Sequence, residues 1–128
     1  MVRRNFIINS SWSTFGLVSM CFSAQKDSPF AVVLGTAQDG GYPQAGCKKD
    51  CCKGLWEDVS RRRDVASLGI VDPVTEQRWF IECTPSFPRQ VRRLDAAYPK
   101  LEGEIDGIML THAHIGHYAG LIHLGREV

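Results

Sequence analysis

Asp106-Gly107-Ile108-Met109-Leu110-Thr111-His112-Ala113-His114-Ile115-Gly116-His117 is the stretch that decides the fold. It opens as a short apolar strand and runs straight into a histidine cluster. Side chains alternate along extended backbone, so His112 and His114 point to one side. A turn after them brings His117 round to face both. All four histidines of the chain lie between positions 112 and 123, a bunching that scattered core histidines would not show. Neutral imidazole is the commonest ligand for zinc and similar metals. Three of them converging at the end of a buried strand suit a catalytic metal with a position left for water. The bland alternative is that the rings only cap the strand and the helix after it. His123 stands six residues past His117 and reads as a surface or packing residue. Leu121, Ile122 and Leu124 suggest a helix there.

Upstream, Phe30-Ala31-Val32-Val33-Leu34-Gly35 reads as a buried strand. Residues 36–46 hold Gly40, Gly41, Pro43 and Gly46 and read as a loop. Lys53 to Arg63 suggests a short helix. Ala66–Val71 and Arg78–Cys83 form a second and third strand, paired as an antiparallel hairpin around Asp72-Pro73, with Trp79 in the core. Pro88 stands at a good first helical position. Val91, Leu94 and Tyr98 follow at spacings of three and four and make one apolar face. Arg89, Arg92, Arg93 and Asp95 lie off that stripe, and Pro99 stops the helix. Strands, then helix, strand, site and helix spell an α/β layered domain.

The 128 residues suffice for one domain, and 44% of them are apolar, an ordinary globular content. The net charge of +1 gives no pull toward nucleic acid or anionic membrane. Arg61-Arg62-Arg63 is followed at once by Asp64 and reads as a solvated face. No stretch approaches the roughly 18–20 apolar residues of a membrane span. Residues 1–28 read as a leader, either a signal peptide or a disordered segment, with the domain at 29–128. Arg3 and Arg4 precede an apolar segment, and Cys21 and Ser23 stand two apart as at an export cleavage site. A periplasmic or secreted location follows if the leader is a signal peptide, a cytoplasmic one otherwise.

Cys47, Cys51 and Cys52 place three thiols within six residues. They suit a structural zinc completed by a fourth ligand from elsewhere; a disulfide or free thiols are the alternative. Adjacent Cys51 and Cys52 are not expected to point the same way, so one of them would ligate. Asp39 with Gly40-Gly41 makes a tight turn, or else a loop bordering the cleft with Asp39 as a polar supporting group. Glu82 would support a metal-bound histidine from behind or pair with a nearby arginine.

The run Thr111-His112-Ala113-His114-Ile115-Gly116-His117-Tyr118-Ala119-Gly120 resembles the metallo-β-lactamase signature Thr-His-x-His-x-Asp-His. The resemblance assigns His112 and His114 to a first metal position and His117 to a second. Gly116 departs from it, because the family usually has an aspartate there that ligates the second metal. Val32 to Gln44, followed by the cysteines, is similar to the opening of the pyrroloquinoline quinone biosynthesis protein B branch, where a cysteine group is associated with structural zinc. The likeness covers about residues 30–128. It implies an αββα sandwich, of which this sequence would hold only the N-terminal part, with further ligands supplied later in a longer protein. Half a sandwich would leave one sheet face exposed.

The implied function is that of a metal-dependent hydrolase, with a metal-activated water attacking an ester, amide or phosphoester of a small molecule. Zinc is the expected metal. One alternative is an oxidative enzyme of cofactor biosynthesis, which would ask for iron. Another is a zinc-stabilised binding domain or an inactive fragment without catalysis, favoured by Gly116.

Overall fold

The computed structural model describes residues 28–126. All of the expected leader except its last residue lies outside them. Four strands form one sheet in the order β1 (Phe30–Gly35), β2 (Ser67–Asp72), β3 (Gln77–Ile81), β4 (Gly107–Met109). The first three are antiparallel neighbours, whereas β4 runs parallel to β3. Helix α1 (Phe87–Ala97) makes the crossover that a parallel pair requires.

The strand periodicity divides the sheet into two unlike faces. On one, Leu34, Val71 and Phe80 are buried against Phe87 and Leu94 of α1. Gly69 lies under the helix, where a Cβ would come within 2.7 Å of Leu94; only glycine lets α1 sit this low. On the other face the register lines up Val33, Leu68, Ile81 and Met109 across all four strands. Val33 is 60% exposed and Met109 47%. This open apolar row is the face a second sheet would cover in the expected sandwich. Trp79 belongs to it, half-buried and lying over Gly107 rather than sealed in the core.

Two local expectations need correction. Lys53 to Arg63 is not an α-helix: it is a series of turns ending in a 3-10 turn at Val59–Arg61. Gly54 sits there at φ +71°, which breaks helical continuity. Asp95, placed off the apolar stripe of α1, is buried and pairs at 2.7 Å with Arg78, itself fully buried on β3. Arg78 also donates to the Glu104 carbonyl at 2.8 Å, and its backbone N–H donates to the Asp106 carboxylate at 2.6 Å. This network ties α1 to β3 and to the entrance of β4, the strand that carries the histidines.

The segment after β4 is shorter and more open than a regular helix. α2 spans only Ile115–Tyr118 and passes into a 3-10 turn at Ala119–His123. Its apolar residues do not face a core: Ile115 is 66% and Ile122 83% exposed. No helix among the described residues is long and apolar enough to cross a membrane.

Candidate metal centre

Three ends of the sheet deliver the site. β3 ends at Ile81, and Glu82 turns out of it at φ +74°. That left-handed conformation is costly for a residue with a Cβ, and here it aims the carboxylate back at the histidine loop. Glu82 Oε1 accepts from the Thr111 N–H at 2.9 Å, and the Glu82 N–H donates to the Met109 carbonyl at 2.9 Å. The next residue continues the clamp. The Cys83 N–H donates to the His117 carbonyl at 2.8 Å, and the Cys83 carbonyl accepts from the Gly120 N–H at 2.8 Å. Burial pushes the Cys83 thiol up to about 11, so it stays protonated; its backbone is what matters here.

On this platform His112 meets His114 on one side and His117 on the other. His112 Nε2 lies 2.9 Å from His114 Nδ1, and the rings of His112 and His117 are 4.0 Å apart between centroids. His112 and His114 are exposed, and His117 is half-buried. Behind His117 stands Glu82, with Oε2 facing Nδ1 at 3.1 Å. The pair is off hydrogen-bond geometry, and neither atom has another partner among the described residues. Donor atoms of Glu82, His112 and His117 all fall within 4.8 Å of one another. Imidazoles with a carboxylate suit a borderline transition metal, and Glu82 Oε2, facing Nδ1, stands where a carboxylate orients a ligating imidazole from behind. Glu82 therefore faces histidine, not arginine. His123 is exposed, as expected.

Asp39 is the residue that sequence reasoning underrated. It comes from the loop after β1, anchored where the Thr36 and Ala37 N–H groups both donate to the Asp64 carbonyl at 2.9 Å. Gly35 makes that approach possible, since a Cβ there would lie 2.0 Å from the Val65 carbonyl oxygen. Asp39 Oδ1 reaches His117 Nε2 at 2.8 Å. Both ring nitrogens of His117 thus face carboxylates from separate loops.

The three cysteines also converge. Their sulfurs lie within 4.8 Å of one another, and Cys51 and Cys52 approach to 3.9 Å. The expectation that only one of the adjacent pair could take part is corrected: a tight turn, closed by the Cys52 N–H on the Lys49 carbonyl at 3.0 Å, brings both thiols together. Sulfurs around a tetrahedral zinc stand about 3.8 Å apart, given Zn–S near 2.3 Å. All three are free thiols, with no disulfide among the described cysteines. The Cys47 thiol is held below its ordinary value, chiefly by the Lys49 backbone N–H. Contact with Cys52 is the main cause that raises Cys51. A cleft of about 700 Å³ opens beside this cluster, walled by Thr36, Gln38, Tyr42 and Arg63. His112 and His114 by contrast lie exposed at the sheet's end.

Coenzyme PQQ synthesis protein B of Xanthomonas campestris pv. campestris (strain B100) is 33% identical over 97 residues, covering 71% of this chain and 32% of that protein. The Methylorubrum extorquens (strain PA1) protein of the same name is 31% identical over 98 residues, covering 73% and 32%. Among solved structures, zinc-bound PqqB from Methylobacterium extorquens superposes with a TM-score of 0.61 at 28% identity, over 75% of this chain and 36% of that one. The chain is a metallo-β-lactamase-fold protein related to coenzyme PQQ synthesis protein B. A diphosphatase from the PhnP family, of the same fold, is also similar, with a TM-score of 0.58 and 28% identity over 75% and 34%. No family model matches. The chain spans about a third of the length of the curated relatives it matches. Within this metallo-β-lactamase fold, the half-covered sheet and the histidine loop at its end fall into place as parts of one partial sandwich.

Proposed function

We propose that this chain supplies the histidine side of a metal-dependent hydrolase centre. His112, His114 and His117 are the metal ligands, and zinc is the metal that the donor set suits. The observation that carries the reading is the contact of His112 with both His114 and His117, beside a buried Glu82 carboxylate whose Oε2 has no hydrogen-bond partner. A metal at such a site lowers the pKa of a water and polarises a carbonyl or phosphoryl oxygen. The chain's own groups do the rest. Glu82 backs the His117 ring at Nδ1, where a carboxylate orients a ligating imidazole, and its bond to the Thr111 N–H holds the start of the histidine loop in place. The exposed flank of His112 and His114 leaves the approach open to a small-molecule ester, amide or phosphoester.

Cys47, Cys51 and Cys52 take a structural zinc in the same reading, closing the loop between β1 and β2. The test is metal analysis of the purified protein together with hydrolysis of an activated phosphodiester and an activated ester. Metal at the histidines with turnover, both lost in H112A, supports the proposal. Stoichiometric zinc without turnover returns the chain to a zinc-stabilised binding domain. The similarity to PQQ synthesis proteins favours a second reading, an enzyme of cofactor biosynthesis with oxidative chemistry. Iron rather than zinc at the histidines would select it.

A further inference from the structure

Gly116 stands where the fold usually carries an aspartate, and the structure shows what occupies the space that residue would need. A Cβ on Gly116 would lie 2.5 Å from the Asp39 Cβ, 2.8 Å from its Cα and 2.8 Å from its Cγ. Gly116 is buried, and the Asp39 Cα among the colliding atoms is backbone, which no side-chain rotation moves. The carboxylate of Asp39 therefore sits beside position 116, and Oδ1 is 2.8 Å from His117 Nε2. The donor atoms fall into two pairs of matching separation: His112 Nε2 with His114 Nδ1 at 2.9 Å, and Asp39 Oδ1 with His117 Nε2 at 2.8 Å. Ligand atoms about 2.0–2.1 Å from a tetrahedral zinc are about 3.3 Å apart. Each pair needs to open by only about half an ångström to share an ion.

We propose that Asp39 is a metal ligand that replaces the aspartate missing at position 116. It comes from the loop after β1, 78 residues before His117 in the chain, and pairs with it. The loss of one carboxylate and the presence of the other form a single exchange, since the two cannot share the space. Glu82 keeps its place behind Nδ1 of His117, leaving Nε2 and Oδ1 to face the metal together. Asp39 is 40% exposed at its side chain, so it can reach an ion at the open end of the sheet.

The inference rests on the histidine metal reading, and one titration separates the two. Cobalt(II) is titrated into the full chain against a competing chelator. The thiolate charge-transfer band reports the cysteines, and the weaker d–d bands report the histidine centre. D39N keeps a hydrogen-bond acceptor for His117 but loses the anionic ligand. It is expected to weaken the histidine-borne affinity at least about tenfold, with the thiolate band and the far-UV circular dichroism unchanged. G116D is expected to gain affinity in a D39G background and not in the wild type, a non-additive pair. A D39N affinity within about twofold of wild type while H114A loses the d–d bands overturns the role of Asp39 alone. Additive G116D and D39G effects overturn it as well. If the wild type and H114A are indistinguishable, the histidine reading fails and the proposal falls with it.

Discussion

Gly120→Ala tests the clamp between the histidine loop and the end of β3. A Cβ at position 120 would stand 2.1 Å from the Thr84 carbonyl oxygen, 2.8 Å from that of Cys83 and 2.9 Å from the Cys83 carbonyl carbon. All three are backbone atoms, so no side-chain rotation relieves the overlap. Reaching ordinary contact, near 3.2 Å for such a pair, requires the two segments to part by about 1 Å. Overpacking of this kind costs about 1–3 kcal/mol. The displacement also stretches the Gly120 N–H bond to the Cys83 carbonyl, now 2.8 Å, which adds about 1 kcal/mol. The expected loss of stability is about 2–4 kcal/mol.

The same displacement reaches the site, because the adjoining Cys83 N–H holds the His117 carbonyl. A shift of about 1 Å at a catalytic group can cost about a hundredfold in rate. Urea unfolding followed by circular dichroism gives the stability, and chelator competition gives the affinity of the histidine centre. G120A should lose both. Stability within about 0.5 kcal/mol of wild type, with metal affinity unchanged, would refute the view that this glycine sets the height of the histidine loop.

Three further outcomes follow from other contacts. Glu82→Gln should lower metal affinity at the histidines about 10–100-fold, because the anionic partner behind His117 is lost; isothermal titration with zinc measures it, and unchanged affinity would remove Glu82 from the site. Asp95→Ala leaves fully buried Arg78 without its charge partner and should cost about 3–5 kcal/mol in urea unfolding, whereas the double variant R78M/D95L should cost much less. Asp72 is held below the ordinary carboxylate range, chiefly by the Val74 N–H in the turn joining β2 and β3. Its folded pKa is the lower one, so its contribution is present above the unfolded value and disappears as pH falls through the folded value. D72N should therefore flatten the acid limb of the thermal stability profile; an unchanged limb would exclude that turn as a source of acid sensitivity.

The strands and α1 were legible because each carries its own period. β1 matches its reading residue for residue, and Pro88, Leu94 and Pro99 placed α1 to within a residue or two. The contacts of His112 with His114 and with His117 were legible because these residues are close in sequence, so local geometry alone brings each pair together. Asp95 misled because charge on a helix normally marks the solvent side, and only its pairing with Arg78 makes burial tolerable. Residues 53–63 misled because a few polar and apolar residues in a row cannot by themselves distinguish turns from one helical repeat.

Asp39 read as no more than a turn residue or a polar supporting group for a different physical reason. A motif is legible when the residues that cooperate are covalent near-neighbours, and Asp39 cooperates with His117 across the sheet. One signal pointed to it, and that signal was an absence. Gly116 breaks an otherwise intact histidine motif at the ligand position, and a buried glycine inside a functional loop means that something else approaches closely. The same logic holds at Gly35, Gly107 and Gly120, each of which admits a backbone or ring where a Cβ would collide. Gly116 is a vacancy at a ligand position, and it points to whichever acidic residue the topology brings beside it. The loop after a strand that lies in the same sheet was the place to look, and Asp39 is the only aspartate or glutamate between Pro29 and Cys47. A missing ligand at a buried glycine is thus evidence about a distant residue, and it argues for relocation of the carboxylate before it argues for loss of function.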